Sequence, residues 1–385
     1  MRRKNAWTTY NKKQLDELEK LCKNYLKFLD KGKTERECVK QIVKQAEEKG
    51  YVNLADITKD KKALKAGDKV YSVCMDKTVA LFQIGKKKLE KGMNILGAHI
   101  DSPRMDVKQN PLYESEEFAY LDTHYYGGIK KYQWVTLPLA LHGVVVKKDG
   151  TVITVNVGED KNDPVFCVTD LLIHLAGEQM EKKANKVIEG ENLDVLVGSK
   201  PLEGKEKDAV KEGILEILKE KYDMTEEDFM SAEIEVVPAG HAREAGLDHS
   251  MVMSYGQDDR VCSYANLEAI LQAKPGVKTQ AALLTDKEEI GSYGNTGMES
   301  SYFVKFVMKL LALQGKDTIL DFYETMENSE MLSADVNSCM DPMFAEVSEK
   351  DNASFLGYGI NLTKYGGARG KSGSNDANAE FLQKI

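Results

Sequence analysis

Two adjacent carboxylates, Glu288 and Glu289, stand in Thr285-Asp-Lys-Glu-Glu-Ile-Gly291, directly after the apolar run 281–284. A short apolar segment bounded by polar residues predicts a buried strand. Residues just past such a strand leave the sheet edge where open α/β folds hold their ligands. One carboxylate there could bind a cation while its neighbour leans over a bound water, the division of labour of a metal-assisted hydrolase. On its own the pair reads first as an ordinary solvated loop, because 30% of the chain is charged.

Three further stretches repeat the arrangement of an apolar run followed at once by metal-binding residue types. Residues 94–98 lead into His99-Ile-Asp101, 251–255 into Gln257-Asp258-Asp259, and 331–334 into Asp335. This pattern predicts four strand ends converging on one site. The His-x-Asp spacing suits a metal-bound imidazole with a carboxylate nearby to orient it. Oxygen and nitrogen ligands without a thiolate are compatible with zinc, cobalt or manganese. Charge balance agrees: Asp258, Glu289, Asp335 and one hydroxide would neutralise two divalent ions, which lowers the cost of holding them in a low-dielectric cleft.

His99-Ile-Asp101-Ser-Pro103, Gln257-Asp258-Asp259-Arg260, Asp286-Lys-Glu288-Glu289-Ile-Gly291-Ser and Ser333-Ala-Asp335-Val-Asn337 resemble the motifs of the aspartyl aminopeptidase and vacuolar aminopeptidase I family, in that family's order and across most of the chain. The resemblance implies an α/β fold, a mixed-sheet dinuclear metallopeptidase domain, and hydrolysis of the N-terminal bond of peptides by a hydroxide held between two zinc ions. It assigns His99 and Asp335 to one ion, Glu289 to the other and Asp258 to both. Glu288 would be the general base, and Asp101 would support His99. Asp259 would orient Asp258 across an unusual peptide bond.

These residues need elements to carry them. Leu15, Leu18, Leu21, Tyr25, Phe28 and Leu29 recur every three or four positions and predict a helix with one apolar face. Thr34 with Glu37 forms a capping box for a second helix closing at Gly50. Segments 69–75 and 78–84 predict a hairpin across Asp76-Lys77, ahead of the strand delivering His99. From Val107 strands dominate, at 117–122, 134–141 and 144–157, followed by a Thr169-capped helix, a helix over 208–222 and a strand at 234–237. Residues 107–237 therefore read as a β-rich domain inserted into a catalytic domain of 1–106 plus 238–385. The resemblance implies that this insert dimerises, and that dimers build a larger homo-oligomer, up to a tetrahedral dodecamer.

His174, in Leu171-Leu-Ile-His-Leu175, reads from its neighbours as a histidine on an apolar helix face. The resemblance gives it a second role, contacting substrate in an adjacent subunit. Past the insert, a helix over 260–273 is expected to pack through Val261, Ala265, Leu267 and Leu271, and one over 299–313 through Phe303, Phe306, Val307 and Leu310. The run Gly366-Gly-Ala-Arg-Gly370-Lys371-Ser372 fails as a phosphate loop, which would need glycine where Tyr365 stands. It reads as a glycine-rich loop near the substrate.

A length of 385 residues predicts two domains. The net charge of -9 argues against nucleic acid or an anionic membrane as partner. Six cysteines without a Cys-x-x-Cys pair read as thiols of a reducing cytoplasm. All six histidines precede Glu288, whereas the resembled family has a last histidine ligand near its C-terminus. The sequence also ends inside an amphipathic segment containing Ala377, Phe381, Leu382 and Ile385. A piece of a longer protein is therefore expected, with one metal site incomplete. Two rivals follow: a non-catalytic assembly subunit, and a glycoside hydrolase using Glu288 or Asp335, for which no stacked-aromatic sugar groove is legible.

Overall fold

Alternation of apolar residues sets the layering of the computed structural model, which describes residues 4–60, 62–365 and 378–385. The glycine-rich run 366–372 and Ala377 lie outside the described residues. The chain opens with α1 (Lys12–Lys31) and α2 (Glu35–Glu48), then β1 (Val52–Asn53), α3 (Leu54–Lys59), β2 (Lys69–Cys74), β3 (Thr78–Gln83) and β4 (Met93–His99). Next come β5 (Arg104–Ser115), β6 (Phe118–Tyr126), β7 (Leu139–Val146), β8 (Val152–Val157), α4 (Gly177–Met180), β9 (Val195–Gly198), α5 (Ala209–Tyr222) and β10 (Ala232–Pro238). The chain continues through β11 (Arg243–Ala245), β12 (Met251–Met253), α6 (Gln257–Gln272), β13 (Thr279–Thr285), α7 (Tyr302–Ala312), α8 (Ile319–Glu327), β14 (Glu330–Ser333) and α9 (Ala379–Lys384).

Two compact units divide the chain, Tyr25–Ala334 and Met1–Asn24 with Asp335–Ile385. The larger unit holds a mixed sheet in the order β1-β2-β3-β13-β4-β14. Its strands alternate between two cores, as the two-residue period of a strand requires. Leu81, Ala282 and Leu284 join Phe28, Ile42 and Leu267 on one face. Ala80, Phe82, Ala281 and Leu283 join Phe303, Phe306 and Leu310 on the other. Helices cover both faces, so the inner strands read as continuous apolar runs. The parallel register of β4 and β13 pairs His99 with Thr285, and that of β4 and β14 pairs Gly97 with Ser333. Two of the sequence motifs thus leave the sheet side by side.

The second sheet, β8-β7-β10-β5-β6-β9, is antiparallel throughout and encloses its own core of Met105, Leu121, Val145, Val195 and Val236. Between the two sheets runs a buried polar seam. Arg104 on β5 donates to Glu35 on α2 at 2.7 Å and to Asp106 at 2.9 Å, with Glu235 on β10 at 3.7 Å. Burial pushes both glutamates upward. The guanidinium wins at Glu35 and holds it ionised, whereas Glu235, buried beside that charge, is pushed well up. The Thr34 and Glu37 capping box closes the start of α2, and Glu37 also meets His142 Nδ1 at 2.9 Å.

In the smaller unit, Ala6 N–H donates to the Gly357 carbonyl at 2.7 Å, and Asp341 caps a short 3-10 turn at Pro342–Val347. Among the described residues no helix is long and apolar enough to cross a membrane.

Four local expectations need correction. Residues 134–138 are not strand: Thr136 takes φ 58° and Pro138 has no N–H, so the ladder begins at Leu139. No helix starts at Thr169. Ile173–Leu175 is a single 3-10 turn, and Leu171, Ile173 and Leu175 are 52, 68 and 69% exposed, so the expected apolar helix face has no core beneath it. Residues 251–253 pair with β11 in a separate ribbon, away from the main sheet. On α6, Val261 and Ala265 face outward while Tyr264, Leu267, Ile270 and Leu271 are buried. Leu267 and Leu271 thus pack as expected, and only Val261 and Ala265 fall off the buried side.

Candidate metal centre

His99 is the last residue of β4 and is 3% exposed. Its Nδ1 faces Asp101, 3.0 Å from the carbonyl oxygen and 3.2 Å from Oδ1. Acceptors on that side favour the tautomer with the proton on Nδ1, leaving the Nε2 lone pair for a cation. Nε2 lies 3.2 Å from Asp258 Oδ1 and 3.7 Å from Glu288 Oε2. The main chain at this residue is held too, since Ser263 Oγ donates to the His99 carbonyl at 2.6 Å.

Asp258 comes from the start of α6, not from the end of a main-sheet strand. Gly256, with φ 79°, makes the turn there; a Cβ on it would lie 2.0 Å from Arg260 Nη1, so glycine is required. The Asp258–Asp259 peptide is cis and both residues depart from helical geometry, so the regular helix runs from Arg260. Ser102 Oγ donates to the Asp258 carbonyl at 2.6 Å, and the fully buried Asp259 accepts from the Cys262 N–H at 3.3 Å. Buried Arg260 donates to the Ile100 and Lys33 carbonyls, fixing the segment that follows His99.

Glu288 and Glu289 sit on a 3-10 turn just past β13, set by Lys287 at φ 75° and closed by Gly291 at φ 90°. Their backbone N–H groups donate to Asp101, Glu288 to Oδ1 at 3.2 Å and Glu289 to Oδ2 at 3.1 Å. Asp101 is therefore more than a partner of His99. Fully buried, it also aims the turn that carries both glutamates. Tyr126 O–H adds a third donated bond, 2.7 Å to Oδ2. Nothing in the sequence marked Tyr126: it ends a strand of the second sheet, remote from every motif.

His99, Asp258 and Glu289 offer ligand atoms that all lie within 4.8 Å of one another. One imidazole nitrogen with carboxylate oxygens and no thiolate is a donor set that fits zinc. The electrostatics point the same way. Burial, then the charge of Asp258, push the Glu289 carboxyl up to about 7. Gathering acidic groups in this way is costly until a cation compensates them, and a bound dication reverses such a shift. Asp335 is the second residue past β14 and opens the smaller unit, its Oδ1 accepting from the Val336 N–H at 2.6 Å. His174 is exposed on its 3-10 turn.

Comparison with known proteins identifies the chemistry. The model of the aminopeptidase I zinc metalloprotease family, M18, matches residues 28–385. The chain belongs to the M18 aminopeptidase family. This M18 chain is 56% identical over 383 residues to a probable M18 family aminopeptidase 1 of Clostridium acetobutylicum, a match covering 99% of the chain and 82% of that relative. The crystal structure of an M18 aminopeptidase from Thermotoga maritima superposes with a TM-score of 0.93 at 46% identity, covering 100% of this chain and 83% of that one. A more distant S. cerevisiae structure, solved as a dodecamer, shares the fold with a TM-score of 0.70 at 20% identity, covering 88% and 76%. The protein is a metal-dependent aminopeptidase, a hydrolase with the mixed α/β fold of its family. The glycoside hydrolase and non-catalytic readings are not favoured.

Proposed function

We propose that His99, Asp258, Glu289 and Asp335 hold two divalent ions, zinc by preference and cobalt or manganese in its place, and that Glu288 is the general base for removal of N-terminal residues from peptides. The observation that carries this reading is the shared anchor: Asp101 accepts the N–H groups of Glu288 and Glu289 while facing His99 Nδ1. It thus orients candidate ligands and candidate base from one buried point. Asp335 enters by chain position, two residues beyond the strand that pairs with β4. When bound, such ions polarise a carbonyl and bring the pKa of water down toward about 7. Glu288 would take the proton of the attacking water and return it to the departing amine, acting as base and then acid. His99 would contribute its Nε2, with Asp101 keeping the proton on Nδ1.

Elemental analysis of the full-length protein should find near two equivalents of zinc per chain, and a panel of aminoacyl substrates should be cleaved at the first bond. A value near zero, or cleavage unaffected by a chelator, would end the reading.

The proposal extends to assembly. Segment 107–237 is read as an inserted dimerisation domain, and the apolar residues exposed around His174 suit burial against a second copy. Dimers would combine into a larger homo-oligomer, a tetrahedral dodecamer by analogy with the dodecameric relative, placing His174 near a neighbour's substrate. Light scattering that finds a monomer would sink this part. Six free cysteines suit the reducing cytoplasm, which fractionation would test.

A further inference from the structure

The second sheet reaches the candidate metal centre through the last residue of β6. Tyr126 is 7% exposed, and its hydroxyl donates to Asp101 Oδ2. Its ring is fixed from the other side. The Arg104 guanidinium lies over it with Cζ 3.6 Å from the centroid, and Arg104 is itself clamped by Glu35 and Asp106. Such a stack orients the ring as well as attracting it. The next residue is fitted to the same place: Gly127 has φ 73°, and a Cβ there would lie 3.3 Å from Glu289 Cβ and 3.4 Å from Pro103. The end of β6 thus packs against Glu289 by one residue and bonds Asp101 by the other.

We propose that Tyr126 is a positioning residue for the metal centre: its hydroxyl locks the Asp101 carboxylate in the rotation that presents Oδ1 to His99 while receiving the Glu288 and Glu289 N–H groups. This rests on reading His99, Asp258 and Glu289 as zinc ligands. With the hydroxyl in place each Asp101 oxygen faces two groups, the Glu288 N–H and His99 Nδ1 at Oδ1 and the Glu289 N–H and Tyr126 O–H at Oδ2, a balance that sets the rotation about the Cβ–Cγ bond. Without the hydroxyl, Oδ2 keeps only the longer backbone bond, so the carboxylate that the imidazole and the glutamate turn share is held less firmly. Partners that orient a ligand in this way typically carry about 10- to 100-fold in metal affinity or activity.

Tyr126→Phe removes the hydroxyl and keeps the ring under Arg104. Zinc affinity of the metal-stripped protein, read by competition with a chromophoric chelator, should fall about 10- to 100-fold. Its metal-free Tm should stay close to wild type, and kcat should fall more than KM rises. Tyr126→Leu, which also removes the ring, should lower the Tm but match the Phe variant in zinc affinity. His99→Ala serves as the control for the ligand reading. If His99→Ala loses zinc while Tyr126→Phe binds it like wild type, the positioning role is wrong and the ligand set stands. Zinc affinity lost in the Leu variant alone would assign the effect to ring packing and overturn the proposal. Wild-type zinc binding by His99→Ala would remove the ligand reading, and the positioning role with it.

Discussion

Glu288→Gln is expected to lower kcat by about 10²- to 10⁴-fold while bound zinc stays at the wild-type level. Glutamine keeps the volume and a polar end but has no oxygen basic enough to accept a proton from water. The bond anchoring this residue to Asp101 is donated by the backbone N–H, so the substitution leaves the 3-10 turn in place. The Glu288 carboxylate stands 3.7 Å from His99 Nε2, whereas Asp258 approaches to 3.2 Å. Asp258 is thus the nearer carboxylate to that nitrogen, and under the proposed assignment Glu288 is the one left to act on water. Glu289→Gln should behave differently, losing metal together with activity, because its carboxylate converges with that of Asp258 on the His99 imidazole. Elemental analysis beside steady-state kinetics on both variants separates the roles. Metal lost from the Glu288 variant and kept by the Glu289 variant would exchange the two assignments.

The parts of this centre that were legible in the sequence are those set by local pattern. The apolar run ending at Leu284 announced β13, and the run ending at Ala98 announced β4. Their parallel pairing then brings His99 level with Thr285. The capping box at Thr34, the hairpin across Asp76-Lys77 and the buried side of α7 followed from rules acting over a few residues.

What stayed hidden depends on long-range contacts. Asp258 reads like a strand-end residue because 251–255 is apolar, yet that stretch forms a small ribbon with β11 and the aspartate is delivered by a helix start. Apolar composition does not reveal which sheet a strand joins, and here Met251 and Met253 stay exposed on the ribbon. Tyr126 was invisible for the same reason. A tyrosine at a strand end is commonplace, and its meaning appears only when Asp101, 25 positions away, is found at its hydroxyl. The apolar Leu171–Leu175 segment misled in the opposite sense. Its composition suggests a buried helix, yet Leu171, Ile173 and Leu175 are exposed at a 3-10 turn, because no core of this chain lies under them.

Asp101→Asn is the substitution expected to do most damage without touching a candidate ligand. The carboxylate accepts from the Glu288 N–H on Oδ1 and from the Tyr126 O–H and the Glu289 N–H on Oδ2, with His99 Nδ1 3.2 Å from Oδ1. An amide has one oxygen, so one side must now present NH2 to groups that also donate. With NH2 on the Tyr126 side, the phenol can turn its proton away and accept, but the Glu289 N–H cannot. With NH2 on the other side it opposes the Glu288 N–H and drives the His99 proton from Nδ1 toward Nε2, where it occupies the lone pair a cation needs. Either orientation leaves a donor facing a donor in a fully buried place, a cost of about 1–3 kcal/mol. Zinc affinity should fall by about 100-fold and kcat with it, while the metal-free Tm drops less than in Asp101→Ala, which strands every donor at once. Chelator competition and thermal melts on the two variants measure this. An asparagine variant that binds zinc and turns over like wild type would show that the charge and the second acceptor oxygen at Asp101 are dispensable, and with them the idea that one buried carboxylate orients both the imidazole and the glutamate pair.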